Sequence, residues 1–118
     1  MNNLRPEILA LNPELFRTGL AKLTYERLIE YIRKFEEDLD ESQEIGARLV
    51  SFGGNCVFHI TSLDFRGQEM IIFNGIDDKG QKVQLFQHVT QLNVLLVAVK
   101  KIGDNPARRI GFHKEEQI

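Results

Sequence analysis

Between Tyr25 and Phe52 the hydrophobic period of the chain changes from about 3.6 residues to two, which restricts it to an α+β fold. Tyr25, Leu28, Ile32, Phe35 and Leu39 fall on one helical face, while Arg27, Glu30, Arg33, Lys34 and Glu37 lie elsewhere on the cylinder. Thr24 is a candidate cap for this Tyr25–Leu39 helix. Ile29 and Tyr31 widen its apolar surface, as a helix with two neighbours requires. Asn12-Pro13-Glu14 reads as an earlier helix start, with Gly19 breaking that segment.

After Gly46 the pattern is that of strands. Ala47–Phe52 and Cys56–Leu63 are expected to pair as a hairpin about Gly53-Gly54-Asn55. Asp64–Gly67 reads as a loop, and Met70–Ile76 and Lys82–His88 as a second hairpin about Asp77-Asp78-Lys79-Gly80. Leu92, Leu95, Leu96 and Val99 match helical spacing between a Thr90 cap and a Lys100-Lys101-Ile102-Gly103 exit. That predicts a C-terminal helix over 91–101; the β-branched Val94, Val97 and Val99 leave a buried strand as the alternative. Ala107–Phe112 is read as a short strand or extended arm, and His113–Ile118 as a polar tail. The expectation is an α+β fold: an N-terminal amphipathic helix, an antiparallel sheet of four to five strands, and a C-terminal helix packed on the sheet. The 118 residues suit one domain, with 1–23 an arm or short helix and 24–112 the core.

Composition narrows the function classes. A single cysteine makes no internal disulfide, which suits a reducing cytoplasm. The longest apolar run, Val94–Val99, falls far short of the roughly 18 residues that cross a bilayer. The N-terminal residues MNNLRPEILALNPE lack the apolar core of a secretory leader. A net charge of −2 argues against a protein that coats nucleic acid polymers. The charge is uneven: residues 1–44 hold six basic and ten acidic side chains, and the remainder is mildly basic. The acids at 36, 37, 38, 40, 41 and 44 read as the solvated end of a helix and its loop.

No catalytic constellation emerges from the spacing. Cys56 and His59, three apart on a strand, face opposite ways. His59, His88 and His113 show no recognised metal-ligand spacing. Neither a phosphate loop nor a dinucleotide fingerprint occurs, so neither an enzyme nor a cofactor is expected. Two features invite a binding reading. Arg108 and Arg109 carry guanidinium forks suited to phosphate or carboxylate, next to Gly111 and Phe112. In an extended segment they point to opposite faces, so one faces a given pocket; alternatively one pairs with an acid such as Asp104 and the other is solvated. Gln84, Gln87, His88, Gln91 and Asn93 form a cluster of uncharged hydrogen-bonding groups suited to sugar hydroxyls and base edges, or to a half-exposed strand.

Gly46–Gly54, Phe58-His59-Ile60, Gln91–Val99 and above all the ending Pro106-Ala107-Arg108-Arg109-Ile110-Gly111-Phe112 resemble a small bacterial and phage family long catalogued as of unknown function. The resemblance covers roughly residues 24–112. That family is in turn similar to the phage Thoeris anti-defence proteins of the sponge type, which bind and sequester cyclic ADP-ribose signals without cleaving them. Some members also hold cyclic oligonucleotides, in pockets between subunits. The resemblance implies a cytoplasmic homodimer or larger homo-oligomer whose partner is a cyclic nucleotide second messenger. It implies phosphate contacts from Arg108 and Arg109, a ribose or base contact from Asn93, and base stacking on Phe112 or Phe86, with His88 nearby. The alternative is a protein–protein interaction module that presents the Tyr25–Leu39 face; a nucleotide-degrading enzyme is the third reading.

Overall fold

The computed structural model describes residues 19–49 and 56–110. Its helix, α1, spans Leu20–Glu37 and buries Ala21, Tyr25, Ile29, Ile32 and Glu36. The helix starts earlier than Tyr25, at Leu20, with Gly19 in the N-cap position. Its φ of 86° lies in the left-handed region, and a Cβ there would sit 2.7 Å from Gln68 Cγ. The Ala21 N–H, left without a helical partner, donates to Gln68 O at 3.1 Å, and Thr24, expected as the cap, lies inside the helix. Ile29 belongs to the core, whereas Tyr31 stays 61% exposed.

Five strands follow: β1 Gln43–Leu49, β2 Val57–Arg66, β3 Met70–Ile76, β4 Lys82–His88 and β5 Val94–Lys100. They form one antiparallel sheet in the order β4-β3-β2-β1-β5. The fold is therefore α+β, with one helix among the described residues. The segment expected to be a C-terminal helix is a strand from Val94 to Lys100, paired with β1 along its whole length. Only Val89–Gln91 before it forms a short 3-10 turn. Asp64-Phe65-Arg66, expected as a loop, continues β2, and the turn to β3 is made at Gly67-Gln68-Glu69. β1 starts three residues ahead of Gly46. Residues 106–109 form an irregular arm and not a strand. The expected helix start at Asn12, the Gly53-Gly54-Asn55 turn, Phe112 and the 113–118 tail lie outside the described residues.

Register forces the sheet to curl. His88 stands beside Met70, which stands beside Arg66 at the end of β2. Val94 stands beside Leu49, whose N–H donates to Cys56 O ahead of β2. On a flat sheet those two points lie roughly 35–40 Å apart. Six residues of chain reach at most about 21 Å. The sheet therefore wraps into a trough, bent where the β2–β3 register shifts between Ile60 and Ser62. α1 packs along β1, β2 and β3 and fills the trough. Its buried stripe meets Ile45, Ala47, Leu49, Phe58, Ile60, Leu63, Ile71, Phe73 and Leu85 in one core, with Tyr25 tilted against Phe65 at 5.1 Å. Ile110, 3% exposed, joins the same core from the arm.

Candidate ligand site at the clasped arm

β5 ends beside the start of β1, where Lys101 N–H donates to Ser42 O at 2.8 Å. The chain then turns through 102–105 and returns across β1 as the arm. Two buried carboxylates hold that return. Glu44 Oε2 accepts the Arg108 N–H at 2.8 Å, and Glu36 Oε2 accepts the Ile110 N–H at 2.8 Å. The other oxygen of Glu44 accepts from His59 Nδ1 at 3.0 Å and lies 3.6 Å from Arg108 Nη1.

Arg109 is anchored by main-chain carbonyls. Its Nη1 donates to Gln43 O and Arg108 O, and its Nη2 to Asp40 O, each at 2.9 Å. Lys101 is held likewise, its ammonium donating to Asn105 O at 3.0 Å and Gly103 O at 3.4 Å. Both cations line a cleft of about 650 Å³ with Glu41, Ser42, Asp104, Pro106 and Ala107. A carbonyl fixes a cation without neutralising it; Glu41 and Asp104 line the same cleft and Asp40 lies close enough to feel the Arg109 charge, but among the described residues no carboxylate contacts either cation. At the edge of the cleft the Ser42 hydroxyl and N–H both donate to Asp40 Oδ1, at 2.6 and 2.8 Å. Those two bonds, together with the Arg109 charge, hold the Asp40 carboxyl below the usual carboxylate range.

The residues expected to form one site separate into two groups. Arg108 and Arg109 sit at the C-terminal end of α1, where Ile110 is tied to Glu36. Phe86 and His88 lie toward the opposite end, where Ala21 is tied to Gln68 and Val89 to Glu69. About 22 Å of helix axis separates these ends. Phe86 is 54% exposed on β4. His88 Nδ1 accepts the Thr90 N–H and bonds the Thr90 hydroxyl at 2.8 Å, leaving Nε2 3.4 Å from Glu69. Asn93 lies between the 3-10 turn and β5, its N–H donating to Gln87 Oε1 at 3.1 Å.

Arg108 pairs with Glu44 rather than Asp104, and Arg109 is the one that faces the cleft. Glu36 and Glu44 correct the reading of the acidic run as solvated throughout: both are buried, at 6% and 5% exposure, while Glu37, Asp38, Asp40 and Glu41 are exposed. Sequence reasoning also passed over Lys101, treating it as part of a helix exit. The one available signal for Glu44 was its period-two phase with Gly46, which places it on a sheet face.

Among the described residues, no group of three or more His, Cys, Asp or Glu is arranged to hold a metal ion, and no helix is long and apolar enough to cross a membrane. Neither a curated protein nor a solved structure matches the chain. A family does: residues 18–113, which include the arm and both of its carboxylate anchors, match DUF6173, and the chain belongs to that family of unknown function.

Proposed function

We propose that this protein binds an anionic small molecule of the nucleotide class in the Lys101–Arg109 cleft and holds it unchanged, as a sponge for a cyclic nucleotide signal does. One observation carries the reading: two cations line one cleft, and each is fixed by main-chain carbonyls, with no contacting carboxylate among the described residues. A positioned cation pair with no carboxylate in contact among the described residues suits a phosphate or pyrophosphate. The volume lies within the range of small-molecule sites, about 300–1,000 Å³. Binding fits the cleft better than turnover. The hydroxyl at its edge, Ser42, donates to Asp40, a carboxylate held in its ionised form and therefore a weak base.

The competing reading is an interaction module that presents the Tyr25–Leu39 face; against it, Tyr25 and Ile32 of that face are buried in the protein's own core.

The test incubates the protein with cyclic ADP-ribose isomers and cyclic dinucleotides, measures free ligand, then heats the protein and identifies what is released. Depletion followed by intact release supports the proposal. An altered ligand means turnover, and no depletion across the panel rejects the site.

A further inference from the structure

β4 and β5 are the two edges of the sheet, and their chemistry differs. β4 reads Lys82-Val83-Gln84-Leu85-Phe86-Gln87-His88, with polar side chains spread along its length. β5 reads Val94-Leu95-Leu96-Val97-Ala98-Val99-Lys100: six apolar residues in succession, no proline, and one charge at the very end. Its register with β1 is continuous over all seven residues, without a bulge. Among the described residues its backbone pairs with β1 alone, and Leu95 is 50% exposed. Proteins blunt open edges with charges, prolines or bulges because a long apolar edge is a template for another strand. β5 carries none of these along its run.

We infer that the free edge of β5 is the surface through which two copies of this chain join, antiparallel about a two-fold axis at Val97. Three observations select a second copy. The strand is self-complementary over its middle five residues: centred on Val97, it sets Leu95 opposite Val99, Leu96 opposite Ala98, and Val97 opposite itself, while at each end Val94 meets the aliphatic stem of Lys100. Parity then has no freedom, because a one-residue slip sets the outward stripe of Leu95, Val97 and Val99 against the inward one. The single charge agrees, since antiparallel pairing holds the two Lys100 ammonium groups about 20 Å apart, whereas parallel pairing sets them side by side. The joined sheets form one ten-stranded sheet across the dimer.

Sedimentation velocity of the full chain at micromolar concentration should show a dimer, and Val97→Lys, which sets two ammonium groups face to face on the axis, should give a monomer with an unchanged circular dichroism spectrum. Crosslinking fixes the register. In a Cys56→Ser background, Val97→Cys places two thiols across the axis with Cα atoms about 4.5–5.5 Å apart, within disulfide reach. It should form a covalent dimer on mild oxidation. Leu95→Cys alone should not, because its copies lie about 14 Å apart. Leu95→Cys combined with Val99→Cys should crosslink again, which keeps the test alive if Val97→Cys is poorly folded. A monomeric wild-type chain overturns the inference. So does a dimer in which Leu95→Cys crosslinks as readily as Val97→Cys.

Discussion

Glu44 accepts the main-chain N–H of Arg108 at 2.8 Å across 64 residues of sequence, and its other oxygen holds the buried His59 ring. One carboxylate on β1 thus binds both the neighbouring strand and the returning arm. Replacing Glu44 with Leu leaves the buried His59 ring and the part-buried Arg108 N–H without their acceptor. The expected loss is about 3 kcal/mol of unfolding free energy by urea titration. Glu44→Gln keeps one acceptor and should lose about half as much. Equal losses for the two variants would mean that volume matters here and hydrogen bonding does not.

Ile110 tests the arm from its apolar side. Its side chain is 3% exposed within the core, and its N–H is tied to Glu36. Ile110→Ala should cost about 2–4 kcal/mol. It should also free the arm before the sheet: amide exchange at Arg108 should accelerate at least tenfold while β3 amides keep their protection. Uniform acceleration would show instead that the arm and the sheet open as one unit.

The limits of β3 and β4 were legible because the turn between them, Asp77 to Gly80, and the alternation on both sides are local. The nature of β5 was not. Leu92, Leu95, Leu96 and Val99 satisfy helical spacing, and the strand is partly buried on both faces of a curled sheet, so no clean alternation marks it. The tertiary ladder with β1 decided the outcome, and that ladder is invisible to a local window. The arm shows the same limit in the candidate site. Arg108 and Arg109 stood out by composition, but their anchors, Glu36 and Glu44, lie in another part of the chain and looked like solvated acids. Topology also places Phe86 and His88 toward the far end of α1 from the arginines, which proximity in sequence could not disclose.

Gly75 sits where β3 meets β2, beside Ile60, and a Cβ there would overlap the His59 carbonyl oxygen and the Phe58 ring. Gly75→Ala should therefore destabilise the fold by about 2 kcal/mol or more, since backbone rather than a flexible side-chain end must give way. A melting temperature within a degree of wild type would show that β2 moves aside freely at this point.

Asp40 gives the pH dependence a sign. Its folded-state carboxyl titrates below its ordinary 3.8, chiefly through the Ser42 hydroxyl and N–H. Its contribution is present above that ordinary value and is lost as the pH falls from there through the folded value. Between pH 5 and pH 3 wild type should lose more stability than Asp40→Asn, as measured by chemical denaturation at each pH. Parallel losses would remove Asp40 from the account of acid sensitivity.

The two cations of the cleft should separate binding from folding. Arg109 ties three carbonyls around the start of β1, so Arg109→Ala removes a charge and also loosens the arm. A loss of affinity in that variant alone is therefore ambiguous. Among the described residues Lys101 donates to carbonyls of its own turn, at Gly103 and Asn105, and not to Glu36 or Glu44. Lys101→Ala should leave stability within about 0.5 kcal/mol of wild type, as expected of a surface substitution. If the cleft takes a phosphate-bearing ligand, the same variant should weaken binding of cyclic ADP-ribose about tenfold or more by calorimetry, the worth of one charge-assisted hydrogen bond. Arg109→Lys keeps the charge but loses the fork that spans Gln43 and Asp40, and should fall between wild type and Arg109→Ala in both stability and affinity. Unchanged affinity in Lys101→Ala, in a protein that still binds the ligand, would move the site away from this cleft, with the exposed Phe86 side of β4 the next surface to test.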